Sequence, residues 1–295
     1  GLGIAASIPF MVSNCACSQE KIKPLPEEVY DIDENNTLLG FKDEFLNDPT
    51  SPIYKNNFKD CNTMQIPASV TSVNAQAFYG GGSYGPTIPD YIKNLIFAEN
   101  SNCSSITTMA FEMCSSLTSI DLSKCINLSL IDAYTFHGCL ALTSLSFPTG
   151  LAEIGEYAFI DCSGLTSVSF PSSLQFINEY AFSDCSKLEI VNLSSCANLS
   201  SIGGWAFRDC SSLTSVSFPI SLESIGDSAF MFCNLSSVIL PKNLTTVGRQ
   251  VFNHNINLSS ITWDAWNGDT NLSHDSFIGV CPTGGTITVT NPIDD

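Results

Sequence analysis

The chain has 295 residues, with 29 Asp plus Glu against 11 Lys plus Arg and a formal net charge of −18. Only 14% of the residues are charged and 44% are hydrophobic, so solubility rests on the acidic excess and on many Ser, Thr and Asn. A nucleic-acid surface needs clustered Lys and Arg to displace counterions, and so few basic residues over the whole length exclude one.

Residues 1–12 (GLGIAASIPFMV) form an apolar run. It is too short to span a bilayer and suits the hydrophobic region of a secretory signal. No Met and no basic residues stand ahead of it, which reads as a leader already shortened. Cys15 follows the run and Cys17 comes two residues later. A cysteine after such a stretch resembles the lipidation site of bacterial lipoproteins, with Cys15 the first candidate and Cys17 the second. Residues 1–17 are therefore expected to be a lipoprotein-type signal remnant that ties the protein to a membrane through a lipid anchor. An ordinary signal peptide and a secreted product is the alternative.

Residues 18–63 are acidic and punctuated by Pro24, Pro26, Pro49 and Pro52. Their periodicity is weak, so 28–46 is expected to hold at most one short helix. The segment reads as a solvated spacer whose later part caps the first coil of a repeat array.

From residue 64 the chain repeats itself. Successive copies include AFEMCSSLTSIDLSKCINLSLI, TFHGCLALTSLSFPTGLAEIG, AFIDCSGLTSVSFPSSLQFIN and AFRDCSSLTSVSFPISLESIG. Their phenylalanines fall at 111, 136, 159, 182, 207, 230 and 252, with Phe277 as an eighth, at intervals of 22 to 25 residues. Self-similarity at such a period predicts a solenoid. IPASVTSVNAQAF matches the second half of a repeat, and GGGSYGP (80–86) reads as a loop. The longer copies replace a Pro with Ser-Lys-Cys or Ser-Ser-Cys, placing two extra residues in one loop. Residues 278–295, with GGTITVTNP, read as a closing segment.

Each copy carries LxxVxF or LxxIxL, as in Leu165/Val168/Phe170 and Leu188/Val191/Leu193, the strand signature of leucine-rich repeats. The last two apolar residues are two apart and face inward together, while their neighbours face out. A second apolar pair follows, such as Leu174/Ile177 or Leu222/Ile225, and Ala-Phe closes the coil after a turn. One coil buries too little to offset the ordering of its own backbone, so coils must stack. Eight coils at about 4.8 Å each make a body about 40 Å long.

Cys114, Cys139, Cys162, Cys185, Cys210 and Cys233 each stand three residues after a repeat phenylalanine. This regularity predicts an internal ladder of free buried thiols. Neighbouring members lie one strand spacing apart, beyond the Cβ–Cβ distance of about 3.8 Å in a disulfide. No Cys-x-x-Cys pair suits a metal. His137, His254 and His274 sit near no GxSxG or HExxH motif, and the 80–82 glycines lack the Lys of a phosphate loop. The reading is a non-enzyme without cofactor or metal.

Two surfaces compete for a partner. The outward strand residues, such as Ser144/Ser146 and Ser215/Ser217, form a hydroxyl carpet broken by Asp121, Ile190, Asn192 and Ile239. A lateral row places Tyr134, Tyr157, Tyr180 and Trp205 two residues before the phenylalanine in four consecutive coils, with Glu156 and Glu179 beside it. That row is either a ladder packed on itself to cover the turn or an exposed partner patch.

The combined pattern AFxxCxxLTSVxFPxxLxxIGxxAF resembles the BspA-like leucine-rich repeat family of surface proteins over roughly 66–277. The resemblance implies a right-handed leucine-rich repeat solenoid of about eight coils of 22–25 residues, with short parallel strands joined by turns. It also implies a cell-surface protein that binds or adheres to a protein or glycan of a host or neighbouring cell, with no catalytic residues to transfer. A structural spacer or surface coat without a specific ligand is the alternative.

Overall fold

The structure, a computed structural model, describes residues 24–25, 27–42, 61–79, 88 and 91–263. Cys15, Cys17, the 80–86 glycine loop, His274, Phe277 and the 278–295 segment lie outside the described residues.

A hairpin of β1 (Tyr30–Ile32) and β2 (Thr37–Phe41) comes first. Among the described residues eight coils follow, most of them with two short strands. They are β3 (Thr63–Ile66) with β4 (Ser72–Val73), β5 (Asn94–Phe97) with β6 (Ser105–Ile106), and β7 (Ser119–Asp121) with β8 (Leu130–Ile131). Next are β9 (Ser144–Ser146) with β10 (Glu153–Ile154), and a coil whose first strand is reduced to bridges at Ser167 and Ser169 before β11 (Phe176–Ile177). β12 (Ile190–Asn192) with β13 (Ser201–Ile202), β14 (Ser215–Ser217) with β15 (Ser224–Ile225) and β16 (Ser237–Leu240) with β17 (Thr246–Val247) complete the series, and β18 (Ser260–Trp263) opens a further coil.

Between coils the pairing is parallel and in register, so each inward side chain lies over its equivalent. Met64, Leu95, Ile120 and Leu145 line up on the first sheet. Ile131, Ile154, Ile177, Ile202, Ile225 and Val247 line up on the second. Between the sheets runs a stack of buried phenylalanines, 78, 111, 136, 159, 182, 207, 230 and 252, with ring centroids 5.2 to 5.9 Å apart and planes within 17°. A one-dimensional array of this kind is stabilised chiefly by its neighbour interfaces.

The predicted thiol ladder runs alongside the stack. Each of the six cysteines donates its S–H to the phenylalanine carbonyl of the preceding coil, over 3.1 to 3.5 Å. All six are buried thiols rather than disulfides.

The loop lengths have a direct cause. In the short coils one turn closes on proline, as where Leu151 N–H donates to Pro148 O and Leu174 N–H to Pro171 O. In the long coils two turns run in series, Leu122–Cys125–Leu128 and Leu193–Cys196–Leu199, and the extra cysteine fills the interior.

Ahead of the coils, the described part of 28–46 holds no α-helix. Glu27–Val29 makes a single 3-10 turn and the hairpin comes directly after it. Asp33 decides this: its Oδ1 accepts the N–H groups of Asn35 and Thr37 at 2.9 Å each, and Asn36 takes a φ of 60°. Such a turn competes with helix and wins where apolar periodicity is weak. β2 then pairs in parallel with β4, Phe41 meets Phe78 edge-on at 5.0 Å, and Tyr30 stacks on Phe41 at 5.7 Å. The hairpin thus adds two rings to the end of the phenylalanine stack.

Candidate functional site

The turn at each Ala-Phe has an unusual backbone. Gln76, Met109, Tyr134, Tyr157, Tyr180, Trp205, Ser228 and Gln250, each two residues before the phenylalanine, have φ between 54° and 61°. The residue two after the phenylalanine is also left-handed, as at Asp161, Asp184 and Asp209. This alternation aims three N–H groups per coil at the next one: Tyr157 N donates to Glu179 O (3.0 Å), Phe159 N to Ala181 O (2.8 Å) and Asp161 N to Ser183 O (3.0 Å). A left-handed conformation costs a non-glycine residue about 1–2 kcal/mol, and this inter-coil ladder helps to offset it.

On that backbone the aromatic row forms one continuous stack. Tyr134 and Tyr157 are 4.5 Å apart at 7°, Tyr157 and Tyr180 are 4.7 Å apart at 8°, and Tyr180 and Trp205 are 5.0 Å apart at 5°. All four are half-buried, with Glu156 and Glu179 exposed beside them. The rings pack on one another, as the first reading of the row expects, and are also accessible. The faces of Tyr157 and Tyr180 are covered by their neighbours, which leaves edges and hydroxyls for solvent. Partial desolvation raises the Tyr157 phenol above its ordinary value, and Tyr134, Tyr180, Glu156 and Glu179 add to the shift.

The row continues into an acid-flanked histidine. His137 Nδ1 lies 2.8 Å from Glu112 Oε1, Nε2 lies 3.5 Å from Asp161 Oδ2, and the ring meets Tyr134 edge-on at 5.9 Å. Three coils are linked through this one side chain.

On the strand face the exceptions separate into two kinds. Asp121 Oδ1 accepts from Ser123 N at 2.9 Å, and Asn192 Oδ1 accepts from Ser194 N at 3.1 Å and Ser194 Oγ at 2.7 Å. Both help to close the longer loops. Ile190 and Ile239 are 54% and 63% exposed without such a duty, and they stand in different coils with Ser215 next to Ile190. Sequence reasoning missed Ile220, which is 59% exposed and lies near Ile239. Among the described residues, no group of three or more His, Cys, Asp or Glu is placed to hold a metal ion, and no helix is long and apolar enough to cross a membrane.

Parallel strands repeated coil after coil, a central phenylalanine stack and a cysteine ladder define a leucine-rich repeat solenoid. Residues 41–128, 90–199, 129–259 and 188–291 match the family described as BspA type leucine rich repeat region, in six copies, and the chain belongs to that family. A comparison with curated proteins finds no match. Among solved structures, a leucine-rich repeat protein from Bacteroides ovatus ATCC 8483 is 27% identical with a TM-score of 0.53, covering 80% of this chain and 63% of its own. A leucine rich cell surface protein from Faecalibacterium prausnitzii A2-165 is 21% identical with a TM-score of 0.52, covering 80% of this chain and 52% of its own. The chain thus spans less than two thirds of the length of either.

Proposed function

We propose that the protein is a surface-exposed binding or adhesion protein that meets a partner protein through the row Tyr134, Tyr157, Tyr180 and Trp205. A cell-surface location fits the family, with Cys15, or else Cys17, as the point of lipid attachment. The reading includes no catalytic step.

The observation that carries it is the half-exposed four-ring stack flanked by Glu156 and Glu179. Contiguous accessible Tyr and Trp are the side chains that dominate binding hot spots. A glycan stacks best on a free ring face, and the inner rings have both faces occupied. Edges, hydroxyls and neighbouring carboxylates suit the donors and cations of a protein surface better, and a net charge of −18 steers a basic partner towards the chain.

The test is a Tyr157→Ser/Tyr180→Ser/Trp205→Ser variant in a saturable cell-adhesion assay. Serine is tolerated by the backbone, since Ser228 holds the equivalent place at a φ of 54°. Loss of saturable adhesion with a native circular dichroism spectrum supports the reading. Unchanged adhesion by the folded variant refutes it, and no saturable adhesion by the parent chain favours a spacer or coat.

A further inference from the structure

The first-strand sheet is broken between β14 and β16. β14 pairs back to β12 and β16 pairs onward to β18, and among the described residues no strand pairing joins the two. Even the reduced coil at Ser167 and Ser169 keeps parallel bridges to both neighbours.

The cause is a single missing residue. Cys210 and Leu213 are three apart, and Leu213 N–H closes the turn on Cys210 O at 2.9 Å. Cys233 and Leu235 are only two apart, so that turn cannot form, and Leu235 N–H donates to Asn255 Oδ1 of the next coil at 3.0 Å instead. The contact just ahead of the gap, Ser236 N to Thr214 O, is stretched to 3.4 Å.

A cleft of about 500 Å³ lies along this break. Half-buried Phe218 is the accessible part of its apolar floor, with Val216 and Leu240 buried beneath; serine hydroxyls form its walls, and Ile220 and Ile239 its exposed apolar edges. Among the described residues that line it, Lys242 is the one charged side chain, a cation on a protein of net charge −18.

We propose that this cleft docks an extended segment of a partner protein in which an apolar side chain stands close to a carboxylate. The apolar group rests on Phe218 between Ile220 and Ile239, while the carboxylate pairs with Lys242. Charge complementarity selects the acid, because a basic segment would be repelled by the lysine. The exposed hydroxyls of Ser215, Ser217 and Ser237 offer hydrogen bonds to the main chain of such a segment. The cleft is on the strand face and the aromatic row is on the turn, so either assignment can fail without the other.

A random linear peptide library panned on the full chain tests the assignment. The expected result is an enriched family with an apolar residue within a few positions of Asp or Glu. A synthetic member should lose about tenfold or more in affinity on Lys242→Glu, on Ile239→Asp, and when its acid is replaced by the amide. The Tyr157→Ser/Tyr180→Ser/Trp205→Ser variant should bind it unchanged. Both cleft side chains stand at the surface, and matching thermal melts show that the variants keep the fold. Absence of an enriched family, enrichment without an acidic residue, equal binding by the cleft variants, or equally tight binding of decanoate overturns the proposal.

Discussion

Asn255 Nδ2 donates to Phe230 O across 2.8 Å, filling the place that a cysteine thiol takes in each of the six coils before it. The amide also donates to Phe252 O at 2.9 Å and accepts from Leu235 N at 3.0 Å, so it closes the shortened turn as well. Asn255 is fully buried, and Asn255→Ala strands these groups away from water. The expected cost is about 1–3 kcal/mol in urea unfolding, and Asn255→Cys should cost less because a thiol can still reach Phe230 O.

The thiol ladder makes the protein sensitive to alkali. Burial pushes Cys139 from its ordinary 9.0 up to about 12, and raises Cys162, Cys185, Cys210 and Cys233 as well. The folded chain therefore keeps protons that the unfolded chain releases above about pH 9. The ladder's contribution is fully present below that pH and is lost above it, towards the folded values, by about 1.4 kcal/mol per unit for each thiol. Thermal melts between pH 7 and 11 should show the midpoint falling steeply above pH 9, and a flat profile would contradict the assignment. At pH 8 the native protein should leave these thiols unlabelled by a thiol reagent until denaturant is added.

In the aromatic row, position decides the energetic cost. Tyr157 stacks on two rings and Trp205 on one. An aromatic pair contributes about 0.5–1.5 kcal/mol beyond its buried area. Tyr157→Ser should therefore destabilise by roughly twice the stacking loss of Trp205→Ser, read from denaturation midpoints of the single variants.

Close packing at the glycine corners predicts a further sensitivity. A Cβ at Gly226 would stand 2.4 Å from Gly204 N and 2.7 Å from Gly203 C, both backbone atoms. Gly226→Ala must push two coils apart and should cost about 1–3 kcal/mol. A melt indistinguishable from the parent would show that the corner yields freely.

Much of the fold is readable in the residues. The apolar spacing within each copy predicts the two strands, and the place of cysteine after phenylalanine predicts the ladder. The two extra residues of the long copies are confined to one loop, as their substitution for a proline implies. The first hairpin is not readable, because a local hydrogen bond at Asp33 and pairing to β4 outweigh a weak pattern. The aromatic row is visible in the sequence, yet only ring distances show that its members stack.

The sequence by itself determined the repeat, its inward residues and the need to stack, since a periodic chain that cannot bury its core in one coil has that single outlet. Only the tertiary structure decided where each deviation goes. Asp121 and Asn192 are drawn into loop closure by nearby serines, whereas Ile220 and Ile239 come to the edges of one cleft because a missing residue parts two strands. The loop closure is local, two residues along the chain, but the cleft depends on how coils more than twenty residues apart meet, and a local pattern of residue types carries no record of that.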